Sequence, residues 1–103
     1  NPSKFGMVSI GETGDVISIV DKPAETMLKY MWGCACWTQT FTSLIDDYLT
    51  AHSYQGREVV LGDIFNAAIE NNLDVKTVNF DDGQYIDIGT VNELDLALKR
   101  FHL

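Results

Sequence analysis

The chain has 103 residues, enough for one small domain with a hydrophobic core. Its 15 acidic residues outnumber 7 basic ones, and the formal charge of −8 argues against a nucleic-acid-binding surface or an anionic membrane face. The apolar runs fall far short of the ~20 residues that cross a bilayer, so we expect a cytosolic protein.

The first two β-branched runs predict a hairpin. Residues 5–10 (FGMVSI) and 15–20 (DVISIV) flank GETG, a typical hairpin turn. Pro23 ends the second strand because it has no N–H to donate to the ladder. Asp21 and Lys22 therefore lie at the end of that strand, on opposite faces.

Residues 31–38 (MWGCACWT) are apolar without helical spacing and predict a buried strand. Gly33 would weaken this strand unless another group approaches its backbone closely. Cys34 and Cys36 would face the same side of the strand, which favours reduced thiols in the core over a disulfide between them.

Apolar side chains with helical spacing then predict two helices. The first face carries Phe41, Leu44, Ile45, Tyr48 and Leu49, and the second carries Leu61, Ile64, Phe65, Ala68 and Ile69. Asn71 and Asn72 suit the end of the second helix.

The last third of the chain predicts two strands and a helix. Residues 73–80 and 85–89 (YIDIG) are the strands, and DDGQ between them is a turn. Thr90 and Glu93 form a capping box at the start of the helix. Its inner face is predicted to carry Val91, Leu94, Ala97, Leu98 and Phe101.

The candidate site residues are polar groups at strand ends, and each has an ordinary structural interpretation. Asp87 is either a metal ligand or a strand-end carboxylate bonded to a turn. Asp21 and Lys22 either bind a sugar hydroxyl and a phosphate or form a solvated strand terminus. Two isolated histidines, His52 and His102, and two cysteines do not have the spacing of a zinc site. Composition and spacing leave these alternatives open.

Taken in order, four segments resemble the sugar-phosphate nucleotidyltransferases, such as glucose-1-phosphate thymidylyltransferases and mannose-1-phosphate guanylyltransferases. FGMVSIGETGDVISIVDKP (5–23) is similar to the family's hairpin ending in E-K-P, and WGCACWT (32–38) to its aGiYvf strand. LGD (61–63) is similar to its L-T-D helix start, and YIDIGTVNEL (85–94) to its W/Y-x-D-I-G-T-P-E-D-L motif. The resemblance spans nearly the whole chain.

This resemblance implies an α/β fold, the C-terminal half of a Rossmann-like nucleotide-diphospho-sugar transferase fold, with a mixed sheet, a hairpin and three helices. It implies that a sugar 1-phosphate is joined to a nucleoside triphosphate, with Mg²⁺ as cofactor and release of pyrophosphate. Asp87 would be a Mg²⁺ ligand, and Lys22 the catalytic cation on the sugar phosphate. Asp21 would bind sugar hydroxyls, and Gly6 and Gly33 would let backbone approach the sugar. We expect a homo-oligomer with no nucleic-acid or membrane partner.

The chain also departs from the family pattern. Asp21 stands in place of a Glu, and LGD in place of L-T-D. The family's nucleotide-binding half, with its Gly-rich loop and second metal-binding Asp, has no counterpart in the 103 residues. The resemblance therefore implies that residues 1–103 are the C-terminal, sugar-phosphate-binding portion of a longer parent, and that this portion alone is inactive. The alternatives are a non-catalytic regulatory or scaffolding homologue and an unrelated small binding domain.

Overall fold

The computed structural model describes residues 1–52 and 56–102. After a short 3-10 helix, the elements are β1 (Gly6–Ile10), β2 (Val16–Asp21), β3 (Tyr30–Met31), α1 (Gln39–His52), α2 (Leu61–Glu70) and α3 (Val91–Phe101). The predicted α/β class, with its hairpin and three helices, is confirmed. The strand order is β2-β1-β3 and both pairings are antiparallel. The sheet is thus antiparallel rather than mixed in the described residues, because the later segments predicted as strands do not join its ladder.

The hairpin forms around the GETG turn, as its sequence predicts. Gly14 adopts a φ of 82°, a conformation that glycine takes at little cost. The register passes from Ser9 opposite Ser18 to Ile10 opposite Val16, which leaves Ile17 as the extra residue of a β-bulge. Ile17 is accordingly 58% exposed, although its sequence is that of a core strand.

Helix α2 packs against β2 and makes hydrogen bonds with the backbone of one residue at that strand's outer edge. A Cβ atom on Gly62 would lie 3.1 Å from Cγ2 of Ile19, so the small residue allows a close approach of helix to strand. The side-chain amide of Asn66 accepts a hydrogen bond from the Ile19 N–H at 2.8 Å and donates one to the Ile19 carbonyl at 2.7 Å. One side chain thereby takes the place of a neighbouring strand at this point.

Aromatic rings hold the two central helices together. Phe41 of α1 stacks on Phe65 of α2 with ring centroids 5.0 Å apart, and Trp32 meets Phe65 edge to face at 5.4 Å. These rings join a buried cluster that contains Val8, Val16, Ile19, Ile64 and Ala68. The core therefore lies between the hairpin and α2. On the predicted inner face of α1, Phe41 is buried, whereas Leu49 is 43% exposed.

Three predicted strands are wrong or much reduced. Only Tyr30 and Met31 pair with β1, and residues 32–38 are not strand. Residues 73–80 contribute a single bridge, from Lys76 to Asp15, and residues 85–89 form no strand. A strand needs a neighbour for its backbone hydrogen bonds, and the described residues provide one only beside residues 30–32 and 75–77. For the same reason Cys34 and Cys36 are exposed free thiols and not core residues.

Helix α3 begins at its predicted capping box, but most of its apolar face is not covered by the described residues. The Thr90 hydroxyl accepts from the Glu93 N–H at 3.2 Å, and the Glu93 carboxylate accepts from the Thr90 N–H at 3.0 Å. On the predicted inner face Ala97 is 6% exposed, whereas Val91 is 83% exposed and the three other members are also exposed. The apolar stripe of this helix is therefore largely uncovered.

The whole molecule is more open than a closed domain of its size. Its accessible surface is 7968 Å², against about 5,800 Å² expected for a compact protein of this mass. Its radius of gyration is 15.8 Å, against about 13 Å for a compact chain of this length. Roughly 2,000 Å² of surface thus exceeds what a closed domain leaves in water.

No described helix has the length and apolarity to cross a membrane.

Candidate functional site

The open end of the hairpin collects three of the predicted site residues. Gly6, the first residue of β1, lies opposite Asp21, the last residue of β2. The N–H of Lys22 then donates to the Phe5 carbonyl at 2.9 Å, which closes the ladder one step beyond Asp21. The backbone therefore fixes the position of Gly6, Asp21 and Lys22 relative to one another.

Asp21 and Lys22 carry opposite charges that are not used by the described part of the fold. Both side chains are exposed, and neither makes a hydrogen bond or an ion pair with residues 1–52 or 56–102. Lys22 has a φ of 44°, a left-handed conformation that is uncommon for a residue with a Cβ atom. This turn takes the chain out of the ladder directly before Pro23. The result is a carboxylate and an ammonium group, adjacent in sequence and available to a ligand.

The space beside Gly6 is filled by Trp32. The Trp32 N–H donates to the Gly6 carbonyl at 3.1 Å, so the two residues are held together through their backbones. A Cβ atom on Gly6 would lie 2.8 Å from Cδ1 of the indole and closer still to Nε1, which is too close for real atoms. Glycine is thus required at this position to admit the indole. Sequence reasoning assigned this space to a sugar and missed the tryptophan that lies in it.

Tyr85 connects the segment that carries Asp87 to the same end of the hairpin. Its ring meets Phe5 edge to face, with centroids 5.5 Å apart. A Cβ atom on Gly33 would lie 3.5 Å from Cε2 of Tyr85, an ordinary contact, so Gly33 is compatible with this packing but is not demanded by it. Only one residue separates Tyr85 from Asp87 along the chain. The two ends of the sequence therefore meet at one surface.

Asp87 makes one hydrogen bond and keeps one oxygen open. Its Oδ1 atom accepts from the Gly89 N–H at 3.1 Å, an Asx turn directly before the N-cap residue Thr90. Its other oxygen has no partner in the described residues, and the side chain is exposed. This matches the ordinary interpretation of a carboxylate bonded to a turn, and it leaves room for a second ligand.

A metal held by protein groups alone does not fit the described residues. They contain no cluster of three or more His, Cys, Asp or Glu side chains arranged to hold an ion. Mg²⁺, however, often takes one or two carboxylates and completes its shell with water and phosphate oxygens. The open oxygen of Asp87 fits a metal that is shared with a phosphate ligand in this way.

Other charged pairs serve the fold. A hydrogen bond from the Thr90 side chain lowers the pKa of Glu93, and Lys4, 3.4 Å away, lowers it further. At the opposite end of the hairpin, an ion pair with Lys76 lowers the pKa of Asp15, and the same pair raises the pKa of Lys76. The first pair fastens the start of α3 to the N-terminal segment, and the second fastens residues 75–77 to β2.

A separate cleft between α1 and α2 contains none of the predicted site residues. It has a volume of about 490 Å³ and is lined by Asp47, Tyr48, His52, Asp63 and Glu70, among others. Asp63 pairs with Arg57, and the His52 ring stacks on Tyr48 with centroids 3.9 Å apart. These neighbours account for Asp63 and His52 among the polar groups of the cleft.

Comparison with known proteins identifies a family for this chain. The family model for nucleotidyl transferases matches residues 1–101, nearly the whole chain. No curated protein and no solved structure matches it significantly. The match covers both the hairpin that ends in Asp21 and Lys22 and the segment that carries Asp87. The chain therefore belongs to the nucleotidyl transferase family.

Proposed function

We propose that the chain forms the sugar-phosphate side of an enzyme that joins a sugar 1-phosphate to a nucleoside triphosphate, giving a nucleotide sugar and pyrophosphate. The observation that carries this proposal is the meeting of two distant motifs at the open end of the hairpin. Asp21 and Lys22 end β2 there, and the contact of Tyr85 with Phe5 brings in the segment of Asp87. The family match supports nucleotidyl transfer, and the unpaired carboxylate and ammonium suit a sugar phosphate.

Each residue has a role in this proposal. The Lys22 ammonium binds the sugar phosphate, because a charge-assisted hydrogen bond to phosphate is strong and no described side chain competes for it. The Asp21 carboxylate accepts hydrogen bonds from sugar hydroxyls. Gly6 and Gly33 border the site. Because Gly6 has no Cβ atom, the Trp32 indole can lie against it at the edge of the site.

Asp87 would hold Mg²⁺ together with water and phosphate oxygens, and the bound ion would neutralise charge on the reacting phosphates. Phosphoryl and nucleotidyl transfers need little covalent work from protein groups. Positioning of the sugar phosphate by Lys22 and Asp21 is therefore the main contribution of this chain to the rate.

The openness of the molecule supports a portion that completes its core against further protein. The exposed stripe of α3 and the apolar segment 32–38 together account for part of the excess surface. On this proposal residues 1–103 are the C-terminal portion of the transferase domain, and the nucleotide is bound elsewhere in that domain.

The test is Asp87→Asn in the complete protein. Asparagine keeps an oxygen for the Gly89 N–H, so the turn survives while the charge is lost. We expect turnover of glucose 1-phosphate or mannose 1-phosphate to be nearly abolished at limiting Mg²⁺, with an unchanged circular dichroism spectrum. Binding of Mn²⁺, followed by electron paramagnetic resonance in the presence of nucleotide, should weaken in parallel.

Asp82→Asn is the matched control, since Asp82 is an exposed carboxylate in the same stretch of chain with no described partner. It should leave both measurements unchanged. Wild-type kinetics for Asp87→Asn at limiting Mg²⁺ would remove Asp87 from the metal site. A complete protein that binds sugar phosphate and nucleotide but turns over neither sugar phosphate would instead be the non-catalytic homologue.

A further inference from the structure

The indole N–H of Trp32 lies at the proposed sugar site without a partner. Nε1 is the atom nearest to the position that a Cβ atom on Gly6 would occupy, and it makes no hydrogen bond within the described residues. The other tryptophan differs, because Nε1 of Trp37 donates to the Thr42 hydroxyl at 3.2 Å. Trp32 thus offers a donor that the described fold does not use.

The same face of the sheet carries the carboxylate of Asp21. Gly6 and Asp21 are directly opposite each other, and residues so paired project to one face with Cβ positions roughly 5 Å apart. The indole lies over Gly6, the residue directly opposite Asp21, and no hydrogen bond joins the indole N–H to the Asp21 carboxylate. An N–H donor and a carboxylate acceptor thus belong to the two residues that neighbour Gly6, and both groups are unpartnered in the described part of the chain.

The indole is held in place from two sides. Its backbone N–H donates to the Gly6 carbonyl at 3.1 Å, and its ring meets Phe65 edge to face with an interplanar angle of 88°. Because Phe65 is itself stacked on Phe41 in the core, the ring has a firm support. A ring fixed in this way contributes binding energy with little loss of side-chain freedom.

We infer that Trp32 is a specificity-determining residue for the sugar. Its N–H donates to a sugar hydroxyl beside the one that Asp21 accepts from, and its ring covers the apolar C–H face of the sugar. This inference rests on the proposed function and deepens it. A bare phosphate ion has no such face, so Trp32 distinguishes a sugar 1-phosphate from phosphate, whereas Lys22 binds both.

The test compares dissociation constants in the complete protein, measured by calorimetry for glucose 1-phosphate, mannose 1-phosphate and inorganic phosphate. Trp32→Phe keeps a ring against Phe65 but removes the N–H. It should weaken binding of the better sugar 1-phosphate about threefold to tenfold, the effect of one hydrogen bond, and leave inorganic phosphate unchanged. Trp37→Phe is the matched control and should change neither constant.

A second variant guards against a folding defect in the first. Gly6→Ala displaces the indole without altering it and should produce the same selective loss. Trp32 does not determine sugar specificity if both variants bind the sugar 1-phosphate as tightly as the unmodified protein. The same holds if their affinity for inorganic phosphate falls as much as their affinity for the sugar 1-phosphate. In either case the proposed function stands. If the unmodified protein neither binds nor turns over either sugar 1-phosphate, the proposed function fails, and the inference with it.

Discussion

Asn66→Ala should destabilise the protein through the edge of β2. The variant removes both hydrogen bonds between the amide and Ile19, and it leaves the N–H and the carbonyl of that residue partly buried without partners. A net hydrogen bond contributes about 0.5–1.5 kcal/mol, and an unsatisfied buried group costs more. Two bonds of 2.7 and 2.8 Å therefore predict a loss of about 1–3 kcal/mol in the free energy of unfolding.

Urea unfolding followed by circular dichroism measures this loss. Asn71→Ala is the matched control, because the Asn71 amide is exposed and donates only to the Ala67 carbonyl at 2.7 Å. It should lower the free energy of unfolding by no more than about 0.5 kcal/mol. Asn66→Asp adds a second comparison: its carboxylate still accepts from the Ile19 N–H but faces the Ile19 carbonyl with no donor.

Equal stability of the Asn66→Ala and unmodified proteins would refute the claim that this amide replaces a neighbouring strand. Equal losses for Asn66→Ala and Asn71→Ala would refute it too, since they would point to a general effect of removing an amide from α2 or its C-cap. Asn66→Asp should be destabilised at neutral pH, because a carboxylate next to a carbonyl is repelled by it.

Two further predictions concern charge. Lys22→Gln should raise KM for the sugar 1-phosphate roughly tenfold to a hundredfold and KM for the nucleotide much less. Lys29→Gln, at an exposed lysine of the same loop, should leave both KM values unchanged. Equal effects of Lys22→Gln on the two substrates would mean that Lys22 does not bind the sugar phosphate. The lowered pKa of Glu93 means that its stabilisation of α3 is present above the ordinary value of 4.5 and is lost as the pH falls through the lower folded value. Helical circular dichroism should therefore decline on acidification, with a smaller acid-induced change in Glu93→Gln, and identical acid titrations of the two proteins would contradict the role of this capping box.

The elements that local sequence determines could be predicted. The hairpin depends on GETG and two adjacent runs, and the helices depend on a spacing of three and four residues and, at Thr90 and Glu93, on a capping box. The strands at 73–80 and 85–89 could not be predicted correctly, because a strand exists only where a neighbour accepts its backbone bonds. The same distinction explains α3, whose amphipathic pattern predicts a helix but not what covers it.

The candidate site divides in the same way. The positions of Asp21 and Lys22 at the end of β2 followed from alternation and Pro23, and the structure places them there. Trp32 was missed because its contact with Gly6 joins residues that are far apart in the sequence, although a bulky residue directly before Gly33 was a signal. The contact of Tyr85 with Phe5 is longer in range still and had no local signature.

The sheet has one closed edge and one open edge, which limits how copies of this fold can associate. On the β2 side, the Asn66 amide makes hydrogen bonds with the N–H and the carbonyl of Ile19. The backbones of Val75 and Thr77 bond to Val16 and to Gly14 in the preceding turn. On the opposite side β3 has no outer neighbour in the described residues. Edge-to-edge pairing through β3 would therefore stop at two molecules, because after pairing neither sheet has another open edge. A growing fibre needs two free edges on every molecule, and the amide of Asn66 denies it the second.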